Sequence, residues 1–287
     1  MAGNFWKSSH NSQWIFDKSD LVRERARDMK NITDEEYQKV MIFYCNFIHA
    51  IGTDTLNGVN NKVKMHVIAT ACVYFRRFYA RQSFMDIDPF LLAPTCICLA
   101  SKADEFSMMS TSKLISTVSN ALKKWTFLNQ EILIRPPYIQ EAEFLLLEIM
   151  DCCLIVYHPY RTLHVLITDL KNTYKELKAD IEVIHGEAVK YCNDHYRSDI
   201  CILYPPHQIA YACLVLAMIN LKKQDDYAEW FTDSSVEIDK VHEIIVAIGA
   251  MYRVWKDFIE KEQLPKILEK IPRPNTRAAE ISKKEAL

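Results

Sequence analysis

The densest group of chemically useful side chains lies where a long apolar stretch ends, at Lys102, Asp104 and Glu105. The adjacent carboxylates could bind a metal ion, but a solvated helix C-terminus explains them with fewer assumptions. Acids at that end oppose the helix macrodipole, so we expect a cationic group of a partner to meet them.

No other group of residues favours catalysis. The nine histidines lack the H-x-x-x-H and H-E-x-x-H spacings that bind zinc, and G-x-S-x-G is absent. His158, beside Pro159, could be a base, but a histidine that caps a helix is the simpler interpretation. The five glycines lie far apart, whereas phosphate-binding loops need several close together. We therefore expect no catalytic residue, no cofactor and no metal site.

Nucleic-acid binding is the second class to consider. Arg76, Arg77 and Arg81 fall on one predicted helix, and Lys123 and Lys124 on another. Such small basic sets usually form solvated faces, and a net charge of −2 gives no broad field for a polyanion. We expect no direct nucleic-acid partner.

The apolar stretch itself predicts the core. Between Phe90 and Ala100 no side chain is charged, and a helix that is apolar all round must be surrounded. It is shorter than the roughly 20 residues that span a bilayer, so other helices of the chain must surround it. Asp88 is the predicted N-cap, while Pro94 predicts a kink or a start nearer Ala93.

Low glycine content and sparse alternating patterns indicate an all-α protein. A charged helix is predicted at 11–30, and a capping box of Thr33 and Glu36 opens a helix that Gly52 ends. Further helices are predicted at 63–81, 110–125, 139–152, 160–172, 181–196, 226–231 and, after a second capping box of Ser234 and Glu237, up to 259. From Gln263 onward the chain reads as a loose tail.

The chain also resembles itself when shifted by 117 residues. Identities include Tyr74 with Tyr191, Pro89 with Pro206, and six further pairs among the 30 positions from 71 to 100. About two would arise by chance. The pattern predicts an internal duplication, in which a second buried helix spans 205–219.

Composition indicates a soluble intracellular protein that does not associate with membranes. Hydrophobic residues make up 49% and charged residues 25%, and there is no secretion signal or run of 18 apolar residues. The nine cysteines form no C-x-x-C pair, and most of them lie within apolar helical stretches of the sequence. This is typical of reduced cysteines in a protein core.

Two five-helix repeats, an extra N-terminal helix, LASKADEF and EAEFLLLEIMDCCL together resemble the paired cyclin boxes of the cyclins. MAGNFWKSSH, VIATACVYFRRFYAR, IDPFLLAPTC, MDCCLIVYHPYR and LYPP are similar to the transcriptional members of that family. The implied segments are an N-terminal part at 1–30, boxes at 31–155 and 156–260, and a flexible tail at 261–287.

The resemblance implies a non-catalytic, nuclear subunit that activates the Mediator-associated cyclin-dependent kinase in RNA polymerase II transcription. In the family, a lysine of the ASK motif and a glutamate early in the first repeat's last helix grip the kinase. From the residues alone, that lysine is a helix-end cation reaching water. The kinase-binding residues that the resemblance implies are Lys102, Asp104, Glu105, Glu143, Leu147 and Leu154.

Departures from the family narrow this expectation. Where cell-cycle cyclins carry an M-R-A-I-L patch that docks substrates, this chain has VMIFY, with Met41 at the arginine position and Arg76 at the partner aspartate. Docking of R-x-L peptides is therefore not implied. Phe5 and Trp6 either form part of a groove for another subunit of the Mediator kinase module or pack on the cyclin box. The alternative class is a cyclin-fold general transcription factor that binds promoter DNA. The near-neutral net charge of the chain argues against this alternative.

Overall fold

The computed structural model describes residues 3–53, 63–106, 110–128, 134–232 and 237–274. All the regular elements of these ranges are helices, which confirms the predicted all-α class. Within the same ranges, no helix is both long and apolar enough to cross a bilayer.

The helices are, in chain order, α1 (Ser9–Gln13), α2 (Lys18–Glu24), α3 (Asp34–Thr53), α4 (Met65–Tyr79), α5 (Pro89–Ala103), α6 (Thr111–Leu122), α7 (Pro136–Ile149), α8 (Pro159–Thr173), α9 (Lys178–Asp194), α10 (Ile200–Leu203), α11 (Pro206–Asn220), α12 (Ala228–Thr232), α13 (Ile238–Asp257) and α14 (Glu260–Lys270).

Two compact units share the chain, and each is built from two separate stretches. The first unit contains Asp17–Ile155 and the chain from Val254 onward, and the second contains Val156–Arg253 and the chain up to Phe16. This grouping differs from the four consecutive segments that the sequence suggested, because each unit includes residues from the opposite end of the chain.

Helix α5 is the buried centre of the first unit. It packs against α3, α4 and α7, and Leu91 alone among the side chains from Phe90 to Ser101 keeps partial exposure. The Phe90 N–H donates to the Asp88 carboxylate at 2.9 Å, as predicted for an N-cap. The helix begins at Pro89 and continues through Pro94, so the suggested start nearer Ala93 is wrong. The cap fixes the start, and one hydrogen bond missing at a proline does not end a helix that its neighbours enclose.

The capping box of α3 is confirmed. The Thr33 N–H donates to the Glu36 carboxylate at 3.0 Å, and the Glu36 N–H donates to the Thr33 hydroxyl at 3.2 Å. Gly52 lies inside α3 instead of ending it. A Cβ at Gly52 would lie 2.6 Å from a side-chain carbon of Ile68, so the glycine permits close packing of α3 on α4.

The single helix predicted at 11–30 is wrong. The structure divides that stretch into α1, α2 and a 3₁₀ segment at Arg25–Lys30. In the 3₁₀ segment, the Arg27 guanidinium donates two hydrogen bonds of 2.9 Å to the Asp86 carboxylate. Such tertiary contacts fix a backbone path that a helical pattern alone does not reveal.

Helix α11 is the buried centre of the second unit and packs against α8 and α9. It begins 117 residues after α5 begins (206 minus 89) and ends 117 residues after α5 ends (220 minus 103). The predicted duplication therefore extends to the bounds of the central helices. The second predicted capping box includes Ser234, which lies outside the described residues.

The predicted loose tail is wrong for its first part, because α14 is a packed helix. Leu264 is fully buried and Ile267 nearly so, and α14 packs against α3. The Trp125 indole N–H also donates to the Glu260 carboxylate at 2.7 Å. The apolar stripe of α14 is short, so the sequence alone does not distinguish it from tail.

We expect Leu264→Ala to lower the free energy of unfolding by about 2–5 kcal/mol, because it leaves a cavity beneath α14. Lys266→Ala, on the exposed side of the same helix, should change it by less than about 0.5 kcal/mol. Urea denaturation followed by circular dichroism measures both. Equal, small effects would mean that α14 contributes no packing.

Candidate functional site

Lys102 and Glu143 lie together on the first unit, although 41 residues separate them in the chain. Lys102 is in the last turn of α5 and Glu143 is on α7, which packs against it. The ammonium Nζ lies 2.5 Å from one carboxylate oxygen and 2.7 Å from the other. The end of the buried helix therefore reaches the surface as an ion pair.

The ion pair is partly accessible to solvent. The Lys102 side chain is 40% exposed and the Glu143 side chain 15%. Partial burial lowers the pKa of Lys102, but the hydrogen bond and charge of Glu143 outweigh it, so the net shift is upward. An ammonium has three donors and a carboxylate about four acceptor positions, so both groups keep capacity for a partner.

Apolar side chains follow Glu143 in the sequence, both on α7 and just beyond its end. Leu147 lies one turn after Glu143 and is half-buried, as is Leu154 beyond the end of α7. Sequence analysis missed Phe144 and Ile155, which are 74% and 69% exposed. A signal for Phe144 was present, because it lies outside the buried series of Ile139, Ala142 and Leu146 on α7.

The two acids at the end of α5 have different environments. Asp104 is half-buried, and its carboxylate lies 3.3 Å from the His66 imidazole and close to the Thr70 hydroxyl. Burial raises the pKa of Asp104, and these two neighbours offset part of the rise. Glu105 is exposed and adopts a left-handed φ of 50°, which closes the helix. Neighbours within the chain thus account for an acid at position 104 of this helix end, and Glu105 is the acid available to another protein.

Phe5 and Trp6 belong to the second unit and differ from each other. Phe5 is half-buried and makes edge contacts with His10 and Tyr157, at ring distances of 5.4 and 5.6 Å. Trp6 is 63% exposed, and its ring lies 5.1 Å from that of His207. Phe5 therefore anchors the N-terminal stretch, and Trp6 is displayed on it.

Of the residues considered for other chemistry, Arg81, Lys123 and Lys124 are exposed, whereas Arg76, Arg77 and His158 lie against other parts of the chain. Arg76 and Arg77 are buried, which removes them from any nucleic-acid surface. His158 precedes α8, and its Nδ1 lies 2.7 Å from the Tyr196 hydroxyl. Within the described residues, His, Cys, Asp and Glu side chains form no group of three that could hold a metal ion.

Comparison with known proteins identifies the class. The model described as Cyclin, N-terminal domain matches residues 48–136, and that described as Cyclin C-terminal domain matches 158–271. Cyclin-C of Drosophila melanogaster is 48% identical over 276 residues, which are 96% of this chain and 98% of that protein. The chain therefore belongs to the cyclin family. Cyclins are regulatory subunits of protein kinases, so the chain is a kinase regulator and not an enzyme.

Solved structures share this fold. A chain of the CAK complex from Chaetomium thermophilum, bound to ATP-gamma-S, matches with a TM-score of 0.73 and 21% identity, covering 98% of this chain and 94% of that chain. A chain of the yeast RNA Pol II CTD kinase CTDK-1 complex matches with a TM-score of 0.57 and 16% identity, covering 84% and 73% respectively.

We expect Lys102→Ala to change the free energy of unfolding by no more than about 1 kcal/mol, because exposed ion pairs stabilise proteins little. Glu143→Ala and the double variant complete a thermodynamic cycle, measured by urea denaturation. A coupling energy of several kcal/mol would contradict this and would make the pair a structural element.

Proposed function

We propose that the chain activates the cyclin-dependent kinase of the Mediator complex, which acts in RNA polymerase II transcription. The carrying observation is the surface-exposed Lys102–Glu143 ion pair, because the family resemblance implies that these two residues bind the kinase. Two further observations support the transcriptional role: the relative at 48% identity is a Cyclin-C, and a chain of an RNA Pol II CTD kinase complex has the same fold.

The proposed kinase-binding surface combines charged groups with apolar area. Lys102 would donate to main-chain carbonyls of the kinase, and the Glu143 carboxylate would accept from its donors. The exposed Glu105 would receive a kinase arginine, while Asp104 holds the end of α5 from within. The apolar contact area would come from Phe144, Leu147, Leu154 and Ile155.

The energetic role of this surface is a population shift. An inactive kinase lacks the lysine–glutamate pair that orients ATP, because its mobile C-helix is swung out. A surface that fits only the swung-in state stabilises that state. A difference in affinity of about 5.5 kcal/mol moves the equilibrium from 1:99 to 99:1. An interface burying about 2,000 Å² is of the size that supplies such energies.

A second surface would serve another subunit of the Mediator kinase module. Trp6 is exposed on the second unit, apart in sequence from the kinase-binding residues, and exposed tryptophans are frequent anchors of protein interfaces. Assembly with the Mediator kinase module would account for a nuclear location.

The sharpest test of the kinase-binding surface exchanges its charges. In the variant Lys102→Glu/Glu143→Lys the internal ion pair survives, so stability should stay within about 1 kcal/mol of the original. Binding to the kinase should weaken by at least about 30-fold, because each group would meet an unfavourable partner. Copurification, followed by kinase assay on an RNA polymerase II tail peptide, measures this.

The matched control for the exchange is Lys171→Glu/Glu182→Lys, which inverts an exposed ion pair of 2.5 Å on the second unit. This variant should bind and activate the kinase normally. The proposed function fails if the Lys102/Glu143 exchange leaves activation intact, or if the unchanged chain activates no cyclin-dependent kinase.

Trp6→Ala should leave stability within about 0.5 kcal/mol and kinase activation unchanged, because the side chain is exposed. It should weaken retention by the other kinase-module subunits by about 30-fold, as loss of an interface anchor does. Quantitative pull-down measures this, with the exposed Ile219→Ala of the same unit as control. Equal retention of both variants would exclude Trp6 as an anchor.

A further inference from the structure

The chain makes an unusual turn after α7. Asp151 and Cys152 both adopt left-handed backbone angles, with φ of 49° and 52°, which non-glycine residues rarely do. The Cys152 N–H donates to the Leu147 carbonyl at 2.9 Å, and the Cys153 N–H donates to the Met150 carbonyl at 2.9 Å. Two consecutive strained residues persist only where surrounding contacts determine the path.

Two buried side chains of α4 supply such contacts. The Arg77 guanidinium donates to the Cys153 carbonyl at 3.0 Å, and the Tyr74 hydroxyl donates to the Leu154 carbonyl at 2.6 Å. Tyr74 and Arg77 are three residues apart, so they lie on one face of α4. Both acceptors are main-chain carbonyls, and the two bonds therefore fix consecutive residues of the backbone.

The backbone fixed in this way carries exposed apolar area. Leu154 is half-buried, and the next residue, Ile155, is 69% exposed. Residues beyond a helix end ordinarily lose conformational freedom when they bind a partner, which weakens binding. Fixing them in the free protein removes part of that cost.

We propose that Tyr74 and Arg77 are positioning residues for the kinase-binding surface. Both are fully buried, so neither reaches the kinase. They act through the backbone at Cys153 and Leu154, which holds Leu154 and Ile155 in the arrangement that the kinase binds. This inference rests on the proposed kinase-activating function and assigns α4 a part in it.

Tyr74→Phe tests the proposal with a close internal control. Tyr79, also on α4 and also buried, donates from its hydroxyl to the Ile87 carbonyl at 2.9 Å. Tyr74→Phe and Tyr79→Phe therefore each remove one buried hydroxyl that donates to one main-chain carbonyl. Tyr74 alone of the two bonds to the segment carrying Ile155.

Both variants should fold and lose similar stability in urea denaturation. Tyr74→Phe should weaken kinase affinity by about five- to tenfold, mainly through faster dissociation, whereas Tyr79→Phe should stay within about twofold. Surface plasmon resonance with the full chain measures both rates. Amide hydrogen exchange at residues 152–155 should accelerate in free Tyr74→Phe and not in Tyr79→Phe.

A double-mutant cycle tests whether Tyr74 acts through the exposed residue. If it does, Tyr74→Phe should cost little further affinity in an Ile155→Ala background. Fully additive losses, equal losses in the two tyrosine variants, or normal binding by Tyr74→Phe would each overturn the positioning role. In these cases the kinase-activating function still stands if the Lys102/Glu143 exchange abolishes binding. Failure of the unchanged chain to bind any cyclin-dependent kinase overturns both proposals.

Discussion

Enclosure of α5 is the constraint on which the first unit depends. A helix without a charged face cannot meet water along its length, so α3, α4 and α7 must surround it. Its charges return only at its end, and there α7 provides the neighbouring side chain. The meeting of Lys102 with Glu143 is thus a consequence of core packing, since the elements that enclose the helix also bring the two charges together.

The second unit repeats the scaffold but not the surface. Shifted by the same 117 residues, the position of Lys102 becomes Ile219, which is 47% exposed. Both units thus have a central helix with the same buried pattern. At the end that reaches the surface, α5 carries a lysine and α11 carries an isoleucine. This asymmetry is typical of duplicated folds, in which buried positions are restrained by packing and exposed ones are free to acquire a role in one copy.

Sequence reasoning succeeded where the determinants are local and failed where they are distant. The Asp88 cap, the capping box of α3 and the all-round apolar character of α5 can be read from neighbouring residues. The burial of Arg77, the partners of Asp104 and the packing of α14 depend on groups far away in the chain. The nearness of Lys102 to Glu143 came from the family resemblance, because no pattern of spacing links residues 41 positions apart.

Because each unit is built from two separate stretches of the chain, the order of synthesis affects when each unit can fold. The first unit needs Leu264 of α14 as a buried residue, yet the whole Val156–Arg253 stretch of the second unit precedes that leucine in the chain. A ribosome therefore releases α14 only after it has synthesised the whole Val156–Arg253 stretch. The first unit therefore cannot complete its packing until α14 has left the ribosome, and the face of α3 that α14 covers stays open until then.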